Sequence, residues 1–368
     1  MRILVTGANG YLGTGIIKQF LDDGYEVIAT DRSTNRCDDR AIKNECDLFS
    51  VENPYTFFHE PDVVLHLAWR DGFIHNSDNH INDLPLHHKF LLKMFQSNVH
   101  RIAVMGSMHE VGFYEGSIDE NSQCKPMSLY GIAKNTLRLD VQYMASTYNK
   151  RYQWLRGYYI VGNTSYGSSI FSKLVKAVED GKCEFPFTLG LNQFDFLDYE
   201  QFCFQTAIAV EQDSIDGIIN ICSGRPEKLA DRVERFIFEN KYKIKLQYGA
   251  FPDRPYDSKA VWGNNEKMSK LLKARKGKVL VTGVHGQLGF DVVNELRKRG
   301  YIAIGVDLAE MDITDARAVD TVITGAQPDA VIHCAAWTAV DMAEHDDKFD
   351  QVRAVNVGGT QNIVNACK

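Results

Sequence analysis

Ile3-Leu-Val-Thr-Gly-Ala-Asn-Gly-Tyr-Leu-Gly13 opens the chain and decides its fold. Ile3-Leu-Val is an apolar strand of the kind buried on both faces of a parallel sheet. The glycine turn Gly7, Gly10, Gly13 follows, and Ile16 to Leu21 reads as an amphipathic helix. Strand, turn and helix form a phosphate cradle. Glycine permits a positive-φ turn and lets backbone N–H groups approach a pyrophosphate at the helix N-terminus, where the macrodipole favours negative charge. Tyr25-Glu-Val-Ile-Ala-Thr is a second strand ending in Asp31, 18 residues past Gly13. A carboxylate there would accept hydrogen bonds from an adenine-ribose 2′-hydroxyl and repel a 2′-phosphate. The expectation is a dinucleotide site that takes NAD ahead of NADP, with Arg32 as the neighbour that could turn towards a 2′-phosphate.

The opening pattern returns. Val279-Leu-Val-Thr-Gly-Val-His-Gly-Gln-Leu-Gly289 repeats it at a register of 276, which holds without a gap through Gly24/Gly300, Tyr25/Tyr301 and Asp31/Asp307. Pro61-Asp-Val-Val-Leu-His66 answers Pro328-Asp-Ala-Val-Ile-His333, and Ile81-Asn82 answers Val355-Asn356. A repeat this long is a duplicated domain start rather than a solenoid unit. Aligned on the last pair, Lys368 falls opposite Met94, 13 residues before the counterpart of Ser107 and 36 before that of Tyr130. The second copy is therefore half a domain. The basic, polar stretch Met268 to Lys278 reads as a linker, with the boundary near Lys276 and domains at 1–276 and 277–368.

At 368 residues the chain has room for two to three domains, and 44% hydrophobic with 24% charged side chains is an ordinary globular composition that excludes a disordered tail protein. Its 48 acidic against 41 basic side chains give a net charge of -7, which argues against nucleic acid as a partner. No window approaches the ~18 apolar residues of a membrane helix, and Met1-Arg2 runs straight into the first strand, so neither a membrane nor a signal peptide is expected. The eight cysteines are scattered with no C-x-x-C pair, which fits a reducing cytoplasm.

The strand Arg101-Ile-Ala-Val-Met runs into Gly106-Ser107, and Tyr130-Gly-Ile-Ala-Lys134 opens a helical pattern 23 residues after Ser107. Tyr130 and Lys134, four apart, share a helix face, and a serine at the end of a parallel strand points into the crevice where ligands bind. Hydride transfer at a carbinol carbon needs a base for the hydroxyl proton. A tyrosine with a pKa near 10 is ionised to only about one part in a thousand at neutral pH, so the Lys134 cation is expected to lower it, by ~3 pH units or about 4 kcal/mol. Ser107 would hold the substrate oxygen. His66 ends the apolar strand Val63-Val-Leu and is read as a satisfied structural histidine. Eight of the eleven histidines fall between His59 and His109. No H-E-x-x-H is present, and His75, His80, His87 and His88 have no cysteine or carboxylate at ligand spacing, so no metal is expected.

With these residues the chain resembles the short-chain dehydrogenase/reductase superfamily, specifically its extended branch of nucleotide-sugar epimerases, dehydratases and reductases. The resemblance implies a cofactor held by Gly7, Asn9, Gly10, Tyr11, Leu12 and Gly13, by Asp31 and Arg32, and by Asp47-Leu48 beside the adenine. It also implies contacts from Leu67, Ala68 and Trp69, where the family has an H-x-A-A loop, and from Lys134. Trp69 departs from the usual alanine. Family dehydratases carry an acidic pair after the catalytic Ser/Thr; Met108 and His109 stand there, which disfavours dehydration, although Glu110 follows. The stretch from about Gly157 to Leu272 looks like the family's substrate lobe. Tyr159 and Arg254 would face substrate, Arg254 matching a diphosphate-binding arginine. Tyr159 stands where an asparagine is common, and Phe194 replaces the arginine of R-D-F.

Val279 to Lys368 resembles the N-terminal portion of dTDP-4-dehydrorhamnose reductase in Gly283 to Gly289, Met311-Asp-Ile-Thr-Asp315 and His333-Cys-Ala-Ala-Trp-Thr-Ala-Val-Asp341. A half-sheet would expose an edge, so a longer two-enzyme fusion is preferred to a natural remnant. The fold expected is α/β: a Rossmann-like doubly wound parallel sheet with a smaller substrate lobe, plus an incomplete Rossmann-like half-domain. The function expected is an NAD-dependent nucleotide-sugar epimerase or oxidoreductase with Ser107, Tyr130 and Lys134 catalytic, acting by hydride transfer at a sugar carbon, C4 foremost. Its alternatives are an NAD(P)H-dependent 4-keto-deoxysugar nucleotide reductase and a non-catalytic dinucleotide sensor. The resemblance also implies a homodimer.

Overall fold

Ile3, Leu4 and Val5 are wholly buried in the central strand β1 (Arg2–Thr6), as their unbroken apolar run requires when helices cover both faces of a sheet. The computed structural model describes the chain apart from residues 166, 168, 253–257, 276 and 344. It divides into two units, Met1–Gln19 with Glu26–Leu272, and Phe20–Tyr25 with Lys273–Lys368.

In the first unit β1 is joined by β2 (Glu26–Asp31), β3 (Ile42–Glu45), β4 (Val63–His66), β5 (Arg101–Ser107), β6 (Arg151–Gly157) and β7 (Gly217–Ile221). Their order across the sheet is 3-2-1-4-5-6-7, and every neighbouring pair is parallel. Strand order reverses between β1 and β4, where Thr6 and His66 are in register at the carboxyl ends. Ligands of open α/β sheets bind at such a switch point. Helix Leu129–Thr147 packs its buried Leu137, Val141 and Met144 into a core shared with Leu91, Val104 and Trp154.

The lobe is not the contiguous block expected from sequence. Gly217–Ile221, inside the 157–272 span, returns to the main sheet as β7, while Gly116–Ile118 leaves the first half to join the lobe. The lobe sheet runs in the order 226–228, 193–198, 260–263, 116–118, with Tyr159–Val161 also paired to Gln193–Asp198. A short buried strand such as Gly217–Ile221 carries no mark of which sheet it will join, because register and partner are set by distant contacts. The expected linker is also corrected. Glu266–Ala274 is a helix that buries Met268 and Leu271 and turns Lys267 onto Glu120 while Lys270 and Lys273 are exposed, and Lys276 lies outside the described residues.

The second unit has three parallel strands, with Lys278–Thr282 between Ile302–Val306 and Ala330–His333. It reproduces the internal geometry of the first copy. Gly7 and Gly283 take φ of +68° and +69°, and a Cβ on either would lie 2.7 Å from the backbone nitrogen of Ala68 or Ala335. No helix among the described residues is long and apolar enough to cross a membrane.

Candidate active site

The glycine turn is built as its sequence dictates. Gly10 N–H donates to Gly7 O at 3.1 Å, and a Cβ on Gly13 would stand 2.4 Å from that same oxygen, so the first turn of helix Tyr11–Asp22 can close only on glycine. A Cβ on Gly10 would meet only Gly7 O, at 3.1 Å, which leaves its outer face open for close approach. Asp31, at the end of β2, accepts from Asn9 N–H at 3.1 Å and from Arg32 N–H at 2.8 Å, fixing a carboxylate beside the turn. Asn9 in turn accepts from Arg36 N–H at 2.8 Å. No acidic residue occupies the first turn of the helix, where Tyr11 and Leu12 stand. Turn, helix terminus and carboxylate fit NAD.

Other predicted cofactor residues line up along the switch point. Leu67 N–H donates to Thr6 O at 3.2 Å and Ala68 N–H to Thr6 Oγ1 at 3.3 Å, so the loop after β4 is tied to β1. Thr6 Oγ1 lies 2.8 Å from His66 Nδ1, and His66 Nε2 lies 2.8 Å from His87 Nδ1. Both rings are buried and held neutral by desolvation, His87 pulled down to about 3. His66 is therefore a satisfied structural histidine, and Thr282 and His333 repeat the contact at 2.7 Å in the second unit. Asp47 caps the short turn Leu48–Ser50 by accepting from Phe49 N–H, and Leu48 is buried.

The three predicted catalytic residues come together. Ser128 caps helix Leu129–Thr147 by accepting from Gly131 N–H at 3.1 Å, and Tyr130 N–H donates to His75 O at 2.8 Å. The Tyr130 phenol lies beside Ser107, whose hydroxyl acts to lower it. One turn on, Lys134 Nζ donates to Met105 O at 2.9 Å and sits 5.9 Å from the Tyr130 ring centre. Burial governs both ionisations. It pushes the phenol up to about 12, against the lowering effect of Ser107, and drags the buried lysine down to about 7, against the Glu110 charge. In the protein alone burial dominates and raises the phenol: the enclosure that brings the pair together desolvates both charged forms.

Sequence reasoning missed what surrounds Tyr130. His75 stacks on its ring at 5.4 Å and 11°, while His80 and His109 lie edge-on at 5.2 and 6.0 Å and Trp69 at 6.1 Å. His109, two residues past Ser107, is pulled down to about 4 by burial and then by His75. The available signal was the density of histidines between residues 59 and 109. Glu110 is not poised for chemistry. Its carboxylate takes Arg156 Nε at 2.6 Å and Trp154 Nε1 at 2.8 Å, all three side chains buried. In the lobe, Tyr159 packs its ring on Phe194 at 4.7 Å and Phe196 at 5.7 Å. Arg254 lies outside the described residues.

Residues 3–222 match the NAD dependent epimerase/dehydratase family, and residues 277–368 match the RmlD substrate binding domain. The dTDP-6-deoxy-L-talose 4-dehydrogenase (NAD(+)) of Aggregatibacter actinomycetemcomitans is 40% identical over 272 residues, 72% of this chain and 99% of that protein. The dTDP-4-dehydrorhamnose reductase of Streptomyces griseus is 38% identical over 89 residues, 24% of this chain and 29% of the reductase. Among solved structures, the UDP-glucuronic acid 4-epimerase of Bacillus cereus, in complex with UDP-glucuronic acid and NAD, is similar with a TM-score of 0.63 at 20% identity, over 74% of this chain and 93% of that one, a likeness of fold.

Proposed function

We propose, from the premise that the chain belongs to the NAD-dependent epimerase/dehydratase family, that its first unit oxidises the C4 hydroxyl of a dTDP-6-deoxy sugar. The protein is an NAD-dependent nucleotide-sugar oxidoreductase of the epimerase fold. The substrate and the direction are our reading, supported by the 40% identical relative. One observation carries the chemistry: the Tyr130 phenol, beside Ser107 at the end of β5, stands one helical turn from the Lys134 ammonium, and Glu110 is locked away from it by Arg156.

When bound, NAD⁺ would supply the acceptor for the C4 hydride. Ser107 holds the C4 oxygen. Tyr130 as phenolate takes the hydroxyl proton, so the alcohol becomes a ketone. Lys134 stabilises the phenolate, against a burial cost that keeps Tyr130 protonated in the protein alone. Glycine turn, Asn9, Asp31 and the Leu67-Ala68-Trp69 loop would hold the cofactor. With Glu110, its acidic candidate, held in an ion pair, the site is poorly set up for dehydration. We assign residues 1–276 to this activity and 277–368 to a separate dinucleotide-binding half-domain. A homodimer and a cytoplasmic setting, in which all eight cysteines stay free, complete the reading.

The test mixes the full chain with dTDP-6-deoxy-L-talose and NAD⁺. NADH formation with appearance of the 4-keto sugar is expected. A C4 epimer without net NADH would replace the dehydrogenase with an epimerase.

A further inference from the structure

Trp69 stands where the resembled family has alanine, and membership of the loop that would hold the cofactor does not account for what its indole touches. Its indole is fixed on several sides. Nε1 donates to His80 Nδ1 at 3.0 Å, and His80 Nε2 in turn donates to Ile74 O at 2.9 Å, the assignment that these two partners require. The ring stacks on His87 at 4.7 Å and 20°, and His87 is anchored to His66. Lys134 Nζ lies 3.7 Å from the centre of the indole. Its only other polar contact among the described residues is Met105 O. We propose that Trp69 is a positioning residue for Lys134, its indole face holding the ammonium charged and aimed at the Tyr130 side of the site.

The argument is electrostatic. A buried ammonium with one carbonyl partner loses most of its hydration, and an indole face, the strongest cation–π partner among the aromatic side chains, returns part of it without adding a group that could take the proton. The other groups facing Lys134 are few. Tyr130 on its own helix is neutral, and His66 from β4 and His87 from helix Leu84–Phe95 disfavour the cation when they are protonated. Glu110, from the turn after β5, favours it at longer range while bound to Arg156. His80 acts on Lys134 through the indole that it tethers.

The inference rests on Lys134 being the ammonium of the proposed reaction, and its deciding readout needs neither substrate nor cofactor. Lysine-labelled full-length protein is titrated by NMR, with the Lys134 signal assigned by its loss in Lys134→Arg. Trp69→Leu keeps apolar bulk and removes the π face. It is expected to lower the Lys134 midpoint by about one pH unit, with Trp69→Phe recovering at least half of that shift. The alkaline limb of kcat/KM should move by the same amount in the same order. His80→Ala, which frees the indole, should give a smaller shift of the same sign. If the leucine variant does not fold, Trp69→Phe and His80→Ala decide, each expected to lower the midpoint measurably. An unchanged midpoint in both, or a phenylalanine variant indistinguishable from leucine, overturns the proposal. A Lys134 shift in protein that oxidises no nucleotide sugar would sink the function instead and leave this inference standing.

Discussion

The Glu110 carboxylate and the Arg156 guanidinium form an ion pair with both side chains fully buried, Oε1 to Nε 2.6 Å, three residues beyond Ser107. Trp154 Nε1 closes the carboxylate from the other side. Gly106 makes room for that indole, since a Cβ there would stand 2.1 Å from Trp154 Nε1. The pair fixes the turn Met108–Glu110 beneath the site and removes the acid that dehydration would need.

Breaking it strands a charge. Glu110→Gln should therefore destabilise the protein by about 3–5 kcal/mol in urea unfolding, and Glu110→Leu combined with Arg156→Met should recover part of that loss. A single-variant loss below about 1 kcal/mol would show that the pair is incidental.

Tyr130→Phe removes the proposed base and keeps the ring stacked on His75. We expect kcat/KM to fall by roughly 10²–10⁴ while NAD affinity by calorimetry is retained. Turnover within tenfold of the parent chain would take the proton-accepting role away from Tyr130.

Asp31 is held beside the glycine turn by Asn9 N–H and Arg32 N–H, and in the proposed reading it meets the ribose 2′-hydroxyl. NAD(H) should bind more tightly than NADP(H), and Asp31→Ser should narrow the gap by removing both the repulsion and an acceptor. Equal affinities in the parent protein would be the contrary result.

Acid stability follows from the buried imidazoles. The folded-state pKa of His109 is lowered to about 4 and that of His87 to about 3, from the ordinary 6.5. Between those values the unfolded chain binds protons that the folded chain does not, so stability is present above about 6.5 and is lost as pH falls. Each ring steepens the acid limb by up to ~1.4 kcal/mol per pH unit. His109→Asn should flatten that slope by about one proton between pH 4 and 6.5 in denaturant titrations; an unaltered slope would mean that the ring is solvated.

Ser107, Tyr130, Lys134 and the lobe strands all precede residue 276. Removing 277–368 should leave kcat/KM within tenfold of the whole chain, as the 99% coverage of the relative over 272 aligned residues also suggests. A larger loss, or a change of oligomer mass, would show that the second unit is integrated with the first.

The sequence by itself determined the nucleotide turn, the acidic residue after the second strand, the Ser107, Tyr130 and Lys134 set, and the duplication. All of these are short-range patterns: glycines where a Cβ would strike Gly7 O, a carboxylate one strand from the turn, a tyrosine and lysine one helical turn apart. Only the tertiary structure decided that Glu110 is bound by a residue 46 positions away, that the lobe borrows Gly116–Ile118 and returns Gly217–Ile221, and that histidines from a loop and a turn enclose Tyr130. It also decided that burial raises the phenol in the protein alone. Whether a lysine lowers a tyrosine depends on how much water both retain, and that is set by packing between segments far apart in the chain, which no local spacing encodes.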